Sequence, residues 1–237
     1  LPHDPPPHAP RGAELGHLLE QVIVGVEKER DAPREPIHVE PSVDGGLDIG
    51  DAVGERADIL IGTHGQITPA AAIRLAARLE KYDPLWLEEP CPPENYKEMG
   101  RIARATTIPI STGERLVTPY EFQMLFAEGA CAVAQPDLGS AGGITATKKI
   151  ATLAEANYVL MAPHVWGGPV ITAAAIQIDA NIPNFLIQES IGKSDEFFNE
   201  IIKEPFIWEK GEFVVTDRPG IGIELDENSL EKYRIKT

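Results

Sequence analysis

From Asp58 onward, short apolar runs alternate with helical segments, and this alternation restricts the possible fold more than any other feature of the sequence. Each apolar run has the length of a strand and contains no regular polar position, which is typical of strands buried on both faces. Strands of this kind that alternate with amphipathic helices predict a parallel sheet covered by helices on both sides. The runs are, in order, DILIG, LWLE, TIPIS, CAVAQP, YVLMAP and FLIQE.

The helical segments carry clear start signals. Thr68 and Thr118 are each followed by proline, which is favoured at the first position of a helix after a threonine N-cap. Glu121 stands three residues after Thr118 and completes a capping box with it. Two further helices are predicted, one that follows Gly142-Gly143 and extends through Ala156 and one that follows Gly168-Pro169 and extends to about Asp179.

Polar residues recur where the predicted strands end. A β/α unit of a barrel has a length of about 25 residues, so a spacing of this size places such residues at equivalent positions on one rim. In (β/α)₈ barrels, active sites are built at the rim formed by the C-terminal ends of the strands. An open, doubly wound sheet would instead concentrate charged residues at one switch point, so the barrel is favoured. The intervals are 24, 26, 23, 27 and 25 residues, between His64, Glu88, Glu114, Asp137, His164 and Glu189.

The amino-acid composition argues against some classes of partner for this protein. The chain has 237 residues, of which 43% are hydrophobic, enough for a substantial core. Its 37 acidic and 21 basic residues give a net charge of −16, which repels phosphate backbones and argues against nucleic acid as a partner. No apolar run approaches the ~20 residues of a membrane span, which argues against a membrane. Cys91 and Cys131 show neither metal-ligand spacing nor a disulfide framework, which suggests a reducing cytoplasm.

The first 57 residues differ from the rest. LPHDPPPHAP contains five prolines and indicates an extended arm, and residues 31–56 contain a strand-like IHVEP followed by a loop rich in Gly and Asp. We therefore expect two parts, residues 1–57 and a barrel domain with a C-terminal tail at 58–237. Within residues 1–57, between the arm and residue 31, apolar residues at helical spacing predict an amphipathic helix that extends to about Arg30. These residues are Leu15, Leu18, Leu19, Val22, Ile23 and Val26.

Five motifs in this order, WLEEP, ISTGERL, QPDLGSAGGIT, APHVWGGPV and NFLIQES, resemble the catalytic barrel of the enolase superfamily. They are most similar to its mandelate racemase/muconate lactonizing enzyme subgroup, and especially to the sugar-acid dehydratases. The resemblance covers about residues 58–230. It implies a TIM-type (β/α)₇β barrel that follows an α+β capping domain. Residues 1–57 are too few and too proline-rich for that domain, so the expected fold is an α/β barrel that is incomplete at its N-terminal end and lacks the cap.

The resemblance implies a reaction that begins with removal of the proton next to a carboxylate. A divalent metal on that carboxylate stabilises the enediolate, and Mg²⁺, with Mn²⁺ as an alternative, suits ligands that are mainly carboxylates. The resemblance makes Glu88 and Glu114 two of the three metal ligands. The competing interpretation is that they are rim charges paired with Arg115 or Lys97.

Asp137 and His164 match the aspartate–histidine pair of the family. A carboxylate on one ring nitrogen fixes the tautomer and raises the basicity of the other, so His164 is the candidate base for the α-proton. Glu189 resembles the glutamate that donates a hydrogen bond to the substrate carboxylate, for which it must be protonated. An acidic pocket favours that state.

His64 and Arg115 complete the candidate site. His64 resembles the histidine of the dehydratases that protonates the departing β-hydroxyl. Racemases of the subgroup use a lysine opposite the histidine base, whereas the one lysine before residue 60 is Lys28, in the predicted helix. An anionic substrate in so acidic a protein requires local positive charge, and Arg115 is the candidate substrate-binding cation.

The sequence departs from the family pattern D-x-H-G at the segment GTHG, where Gly62 occupies the position of the first metal aspartate. Asp58 lies four residues upstream, roughly 13 Å along a strand, and cannot replace it without a change of register. The leading hypothesis is a Mg²⁺-dependent dehydratase, a hydro-lyase that acts on a small acid sugar and forms a homo-oligomer. The alternatives are a racemase or epimerase on the same barrel and a catalytically silent barrel or fragment.

Overall fold

The computed structural model describes residues 22–27, 57–190 and 197–234. Six strands form its main sheet, and their order in the sheet follows their order in the chain. The first strand is antiparallel to the second, and every later pair is parallel. The strands are β1 (Val22–Glu27), β2 (Ala57–Gly62), β3 (Trp86–Glu88), β4 (Ile110–Thr112), β5 (Val133–Ala134) and β6 (Leu160–Met161).

Helices connect the parallel strands. Because each helix returns the chain to the start of the next strand, the strands can lie side by side in sequence order, which is the arrangement of a TIM-type barrel domain. Beyond β6, Met161 forms a parallel bridge with Phe185, so the sheet continues past its last named strand. The helices are α1 (Pro69–Leu79), α2 (Tyr96–Ala103), α3 (Pro119–Ala127), α4 (Gly143–Ala156) and α5 (Pro169–Asp179), with a 3₁₀ turn at Glu80–Tyr82 after α1.

The predicted helix starts are confirmed. The Thr68 side chain accepts a hydrogen bond from the amide of Ala71 at the start of α1. Thr118 and Glu121 form both hydrogen bonds of the capping box at the start of α3. Helices α4 and α5 begin and end within one residue of the predicted positions. These signals are local, so they do not depend on how the barrel closes.

The helix predicted up to about Arg30 is wrong over residues 22–27, which form strand β1. The segment VIVGVE is rich in β-branched residues, which favour a strand, and Val22, Val24 and Val26 also fit a two-residue period. Pairing decides between the two patterns, since Val22 to Val24 lie opposite Ile59 to Ile61 of β2. The rest of that predicted helix, the proline-rich arm and the strand-like IHVEP lie outside the described residues.

The core lies between the sheet and the helices. Leu87 and Ile110 of the strands pack with Met99, Phe122 and Ile150 of the helices, and each of these side chains is at most 2% exposed. Cys91 and Cys131 are buried free thiols. In the segments that the structure describes, no helix is both long enough and apolar enough to cross a membrane.

The C-terminal tail adds short elements. Lys210 and Gly211, both in the left-handed region, make the turn of a hairpin, and the Gln177 side chain of α5 donates a hydrogen bond to the Ile221 carbonyl. The tail therefore contacts the outer helix α5. Its elements are α6 (Phe197–Glu200), β7 (Trp208–Glu209), β8 (Glu212–Phe213) and α7 (Glu227–Glu231).

Candidate functional site

The candidate residues follow the C-terminal ends of neighbouring strands. Glu88 is the last residue of β3 and lies level with Ser111 of β4, and Glu114 comes two residues after β4 ends. The loops after β5 and β6 are joined by a parallel bridge between Asp137 and His164. Parallel strands in register bring these positions to one edge of the sheet, as the spacing predicted.

His164 lies at the centre of the site. Its Nδ1 is 2.8 Å from Asp137 Oδ2, and its Nε2 is 3.5 Å from Glu114 Oε2 and 3.7 Å from Glu189 Oε2. Burial lowers the pKa of His164, but the charge of Glu189, the hydrogen bond to Asp137 and the charge of Glu114 raise it, and the net pKa lies above the ordinary value. The ring is thus oriented by one carboxylate and turned toward two others.

The Asp137 carboxylate is held on both sides. Oδ2 meets the His164 ring, and Oδ1 accepts a hydrogen bond of 3.0 Å from the Ser140 amide. The residue is 7% exposed, so water competes little for these bonds. Because Oδ2 accepts from Nδ1, the neutral ring presents its lone pair at Nε2, the nitrogen that faces Glu114 and Glu189.

Glu189 accepts a hydrogen bond of 2.8 Å from the Val165 amide through Oε2. Burial raises its pKa, the charge of His164 and the Val165 hydrogen bond lower it, and the charges of Glu114 and Asp137 raise it further. The net pKa is above its usual value, the direction that the protonated role requires.

Glu88 has a partner that sequence reasoning missed. Gln135 donates a hydrogen bond of 2.8 Å from Nε2 to Glu88 Oε2. Burial raises the pKa of Glu88, the Gln135 hydrogen bond lowers it, and the charges of Glu114, Glu189 and Glu89 raise it, with a net increase. Gln135 stands two residues before Asp137, and this strand periodicity was the available signal that both face the site.

Glu89, the second glutamate of WLEEP, has different partners from those of Glu88. It is fully buried, and its Oε2 accepts from the Nε and Nη2 of Arg115 at 2.8 and 2.6 Å. Burial raises the pKa of Glu89, although the hydrogen bond and the charge of Arg115 lower it. The ion pair of Arg115 is therefore with Glu89 rather than with Glu88 or Glu114, and its substrate-binding role stays a prediction.

His64 lies at the outer edge of the site. Its Nδ1 is 3.9 Å from Glu114 Oε1, and the side chain is 41% exposed. Its backbone is in the left-handed region, with φ of 49°, and the following Gly65 has φ of 65°. The left-handed turn directs the chain away from β2 immediately after the strand ends.

The residues present do not complete a magnesium site. Gly62 ends β2 level with Glu88, so the missing aspartate would belong beside Glu88, while Asp58 lies near the other end of that strand. Within the described ranges, no group of three or more His, Cys, Asp or Glu side chains is arranged to hold a metal ion. Mg²⁺ requires nearly octahedral oxygen coordination, and Glu88 and Glu114 leave the set one carboxylate short.

A comparison with known protein families identifies the family of this chain. Residues 38–229 match the family described as enolase C-terminal domain-like. The chain belongs to the enolase superfamily. The match includes every strand and loop that carries a candidate residue, and it agrees with the resemblance that the five motifs indicated.

Curated relatives of this enolase-type chain include sugar-acid dehydratases. A D-xylonate dehydratase from Haloferax volcanii is 32% identical over 228 residues, which are 94% of this chain and 55% of the relative. A D-galactonate dehydratase from Variovorax paradoxus is 37% identical over 206 residues, or 84% of this chain and 53% of the relative. The chain therefore spans about half the length of the curated relatives it matches.

Solved structures give the same family and fold. A mandelate racemase/muconate lactonizing enzyme from a Jannaschia species is 44% identical and superposes with a TM-score of 0.75, over 80% of this chain and 48% of that one. A mandelate racemase/muconate lactonizing enzyme-like protein from a Roseovarius species is 49% identical with a TM-score of 0.72, over 76% and 45%. This chain thus corresponds to the barrel part of such proteins.

Proposed function

We propose that the protein is a sugar-acid dehydratase, which removes the α-proton of a small acid sugar and then eliminates its β-hydroxyl as water. The observation that carries the proposal is the oriented His164, with Asp137 on Nδ1 and two carboxylates facing Nε2. The dehydratase names of the curated relatives support the same reaction class.

His164 takes the α-proton at Nε2, and the electron pair of the broken C–H bond becomes part of an enediolate. Asp137 stabilises the imidazolium that forms, because its carboxylate is 2.8 Å from Nδ1. Protonated Glu189 donates a hydrogen bond to the substrate carboxylate, where negative charge increases during this step.

His64 completes the elimination. The enediolate expels the β-hydroxyl, which takes a proton from His64 and leaves as water. The resulting enol then takes up a proton at the β-carbon and releases the proton of its own hydroxyl, which gives a 2-keto-3-deoxy acid. The position of His64 at the outer edge of the site, 3.9 Å from Glu114 Oε1, supports separate groups for base and acid.

A divalent cation held by this chain would stabilise the negative charge of the enediolate. Mg²⁺, with Mn²⁺ as the alternative, is the ion that the family chemistry implies, and Glu88 and Glu114 are the carboxylates of this chain available to it. With Gly62 in place of the third ligand, the donor set predicts weak binding of the ion.

The test is a panel of acid sugars incubated with the chain and Mg²⁺ in D₂O. We expect a 2-keto-3-deoxy acid from at least one sugar, and we expect His164→Asn to abolish both this product and α-deuterium incorporation. The matched control is His64→Asn, which should lose product while it retains incorporation of deuterium. Deuterium incorporation without product in the unmodified chain would favour a racemase or epimerase instead.

A second candidate, a barrel without turnover, is favoured by Gly62 alone. Among the described residues the candidate metal site lacks a third carboxylate, although Asp137 and His164 lie within hydrogen-bonding distance of each other. Absence of both product and deuterium incorporation, together with absence of Mg²⁺ binding by calorimetry, would establish that candidate.

A further inference from the structure

Glu89 stands in an unusual backbone position for a buried charged residue. Its φ is 39°, in the left-handed region that non-glycine residues rarely adopt, and its side chain has no exposed surface. Its amide donates to the Ser111 carbonyl of β4 at 2.9 Å, which fixes it to the sheet. In this conformation the Glu89 carboxylate meets Arg115, whereas the Glu88 carboxylate meets Gln135.

The turn that carries His64 is attached to Glu89 through the backbone. The Glu89 carbonyl accepts hydrogen bonds from the Gly65 amide and from Thr63 Oγ1, both at 2.7 Å. The residues on both sides of His64 are therefore bonded to one carbonyl group. His64 itself keeps its left-handed φ of 49° between them.

The Arg115 side chain links the same turn to the Glu89 carboxylate. Its Nη2 lies 2.6 Å from Glu89 Oε2 and also donates to the His64 carbonyl at 3.1 Å. A Cβ atom on Gly65 would collide with this guanidinium group, so the turn and the side chain fit closely. A planar guanidinium can bond a carboxylate and a neighbouring carbonyl at once, which an ammonium group does less well.

We infer that Arg115, held by the buried Glu89 carboxylate, is a positioning residue that keeps His64 in place as the acid of the elimination step. The inference rests on the proposed function for the role of His64. It departs from the substrate-binding role that the sequence suggested for Arg115, because Nε and Nη2 are directed at Glu89 and the His64 carbonyl. Glu89 has the complementary task of orienting the guanidinium.

Two reactions of the same substrate depend on different residues of the site. Removal of the α-proton depends on His164 and Asp137, whereas loss of the β-hydroxyl depends on His64. A displaced His64 leaves the enediolate to be reprotonated by His164, which returns substrate labelled with deuterium. The ratio of keto acid formed to deuterium incorporated into recovered substrate therefore measures the placement of His64.

The experiment compares this ratio in D₂O for the unmodified chain, Arg115→Gln, Arg115→Lys and Glu89→Gln. We expect a fall of tenfold or more for Arg115→Gln and Glu89→Gln, and a smaller fall for Arg115→Lys, which keeps the charge. Arg101→Gln is the matched control, since it removes a surface ion pair with Glu98 on α2. If Arg115 instead binds substrate, KM rises, both reactions slow together and the ratio is constant, which overturns the inference.

A second measurement does not depend on turnover. The chain has six histidines, so the ring resonances of His64 and His164 can be assigned in ¹³C,¹⁵N-histidine-labelled protein through His64→Gln and His164→Gln. We expect Arg115→Gln to shift the His64 resonances and to leave those of His164 in place. Unchanged His64 resonances in folded Arg115→Gln overturn the inference. If the acid-sugar panel yields no product, the proposed function fails while this measurement still decides the positioning role.

Discussion

At the scale of single residues, the interaction between Asp137 and His164 determines which ring nitrogen can act as a base. Asp137→Asn keeps the size of the side chain but loses the charge that stabilises the imidazolium. We expect α-deuterium exchange to fall by about 10²- to 10⁴-fold, the usual range for general base catalysis. Exchange followed by NMR measures the loss, and an unchanged unfolding transition shows that the fold is intact. Normal exchange in this variant would remove His164 from the base role.

The residue at position 62 is predicted to limit how well the site binds a metal ion. Gly62→Asp places a third carboxylate level with Glu88, in a strand position whose backbone any residue can adopt. We expect weak Mg²⁺ binding by the unmodified chain and at least tenfold tighter binding by the variant, measured by calorimetry, because octahedral coordination gains a ligand. Asn157→Asp is the control, since it adds the same charge on an exposed residue at the end of α4. Tight binding without the substitution would mean that another residue supplies the missing ligand.

Asp179 at the end of α5 should make stability depend on pH. Burial raises its pKa from 3.8 to about 8, and its Oδ1 has no hydrogen-bond partner among the described residues. A folded-state pKa above that of the unfolded chain means that the folded state binds the proton more tightly. The associated stability is complete below about pH 4 and is lost as the pH rises through about 8.

Asp179→Asn removes this dependence. At pH 9 we expect the variant to be more stable than the unmodified chain by about 1–3 kcal/mol, the usual cost of a buried polar group without a partner. Denaturant unfolding at pH 5 and pH 9 measures the difference, with Asp217→Asn at an exposed position as the control. A variant that loses stability at pH 9 would mean that the carboxylate has a favourable partner.

At the scale of elements, the capping box of α3 holds the segment between the loop of Glu114 and the helix. Glu121 Oε2 accepts from the amides of Val117 and Thr118, at 3.0 and 2.7 Å. We expect Thr118→Ala to lower the free energy of unfolding by about 1–2 kcal/mol, since the lost hydroxyl accepts from the Glu121 amide and donates to Glu121 Oε2.

The comparison for this prediction is Thr68→Ala at the start of α1. Thr68 accepts one amide hydrogen bond, at 3.3 Å, so its removal should cost less than that of Thr118. Chemical denaturation of both variants measures the two losses. Equal losses would show that the hydrogen bond from the Thr118 hydroxyl to Glu121 Oε2 contributes nothing to stability.

At the scale of the whole molecule, the net charge of −16 opposes the approach of an anionic substrate. Salt screens this repulsion, because the Debye length falls from about 30 Å at 0.01 M to about 10 Å at 0.1 M. We expect kcat/KM for an acid sugar to rise a few-fold over this range at a constant concentration of divalent cation. The internal control is kcat at saturating substrate, which does not include the encounter. A fall in kcat/KM would indicate that local positive charge dominates.

The fold could be predicted from the sequence where the signals were local, and it could not where two patterns competed. The caps at Thr68 and Thr118 act within four residues, and the structure has both. The segment Val22–Glu27 fits a helical and a two-residue period equally well. Its pairing with β2, which lies some thirty residues further along the chain, selects the strand.

For the candidate site, the spacing of strand ends predicted which residues meet but not what each one contacts. The hydrogen bond between Asp137 and His164 was predicted and is present. The pairing of Arg115 with Glu89 was not, because adjacent glutamates look alike in a sequence and only the backbone turn at Glu89 directs them apart. Gln135 was overlooked because a neutral amide at a strand end resembles many others.

The sequence by itself determined the alternation of strands and helices, the rim on which the polar residues lie and the absence of an aspartate at position 62. These features depend on residue type and interval, which are local or periodic properties of the chain. The tertiary structure alone decided that Glu88 faces the site while Glu89 is buried against Arg115. Glu89 and Arg115 are 26 positions apart and Glu88 and Gln135 are 47 apart, and only the packing of parallel strands brings them within hydrogen-bonding distance.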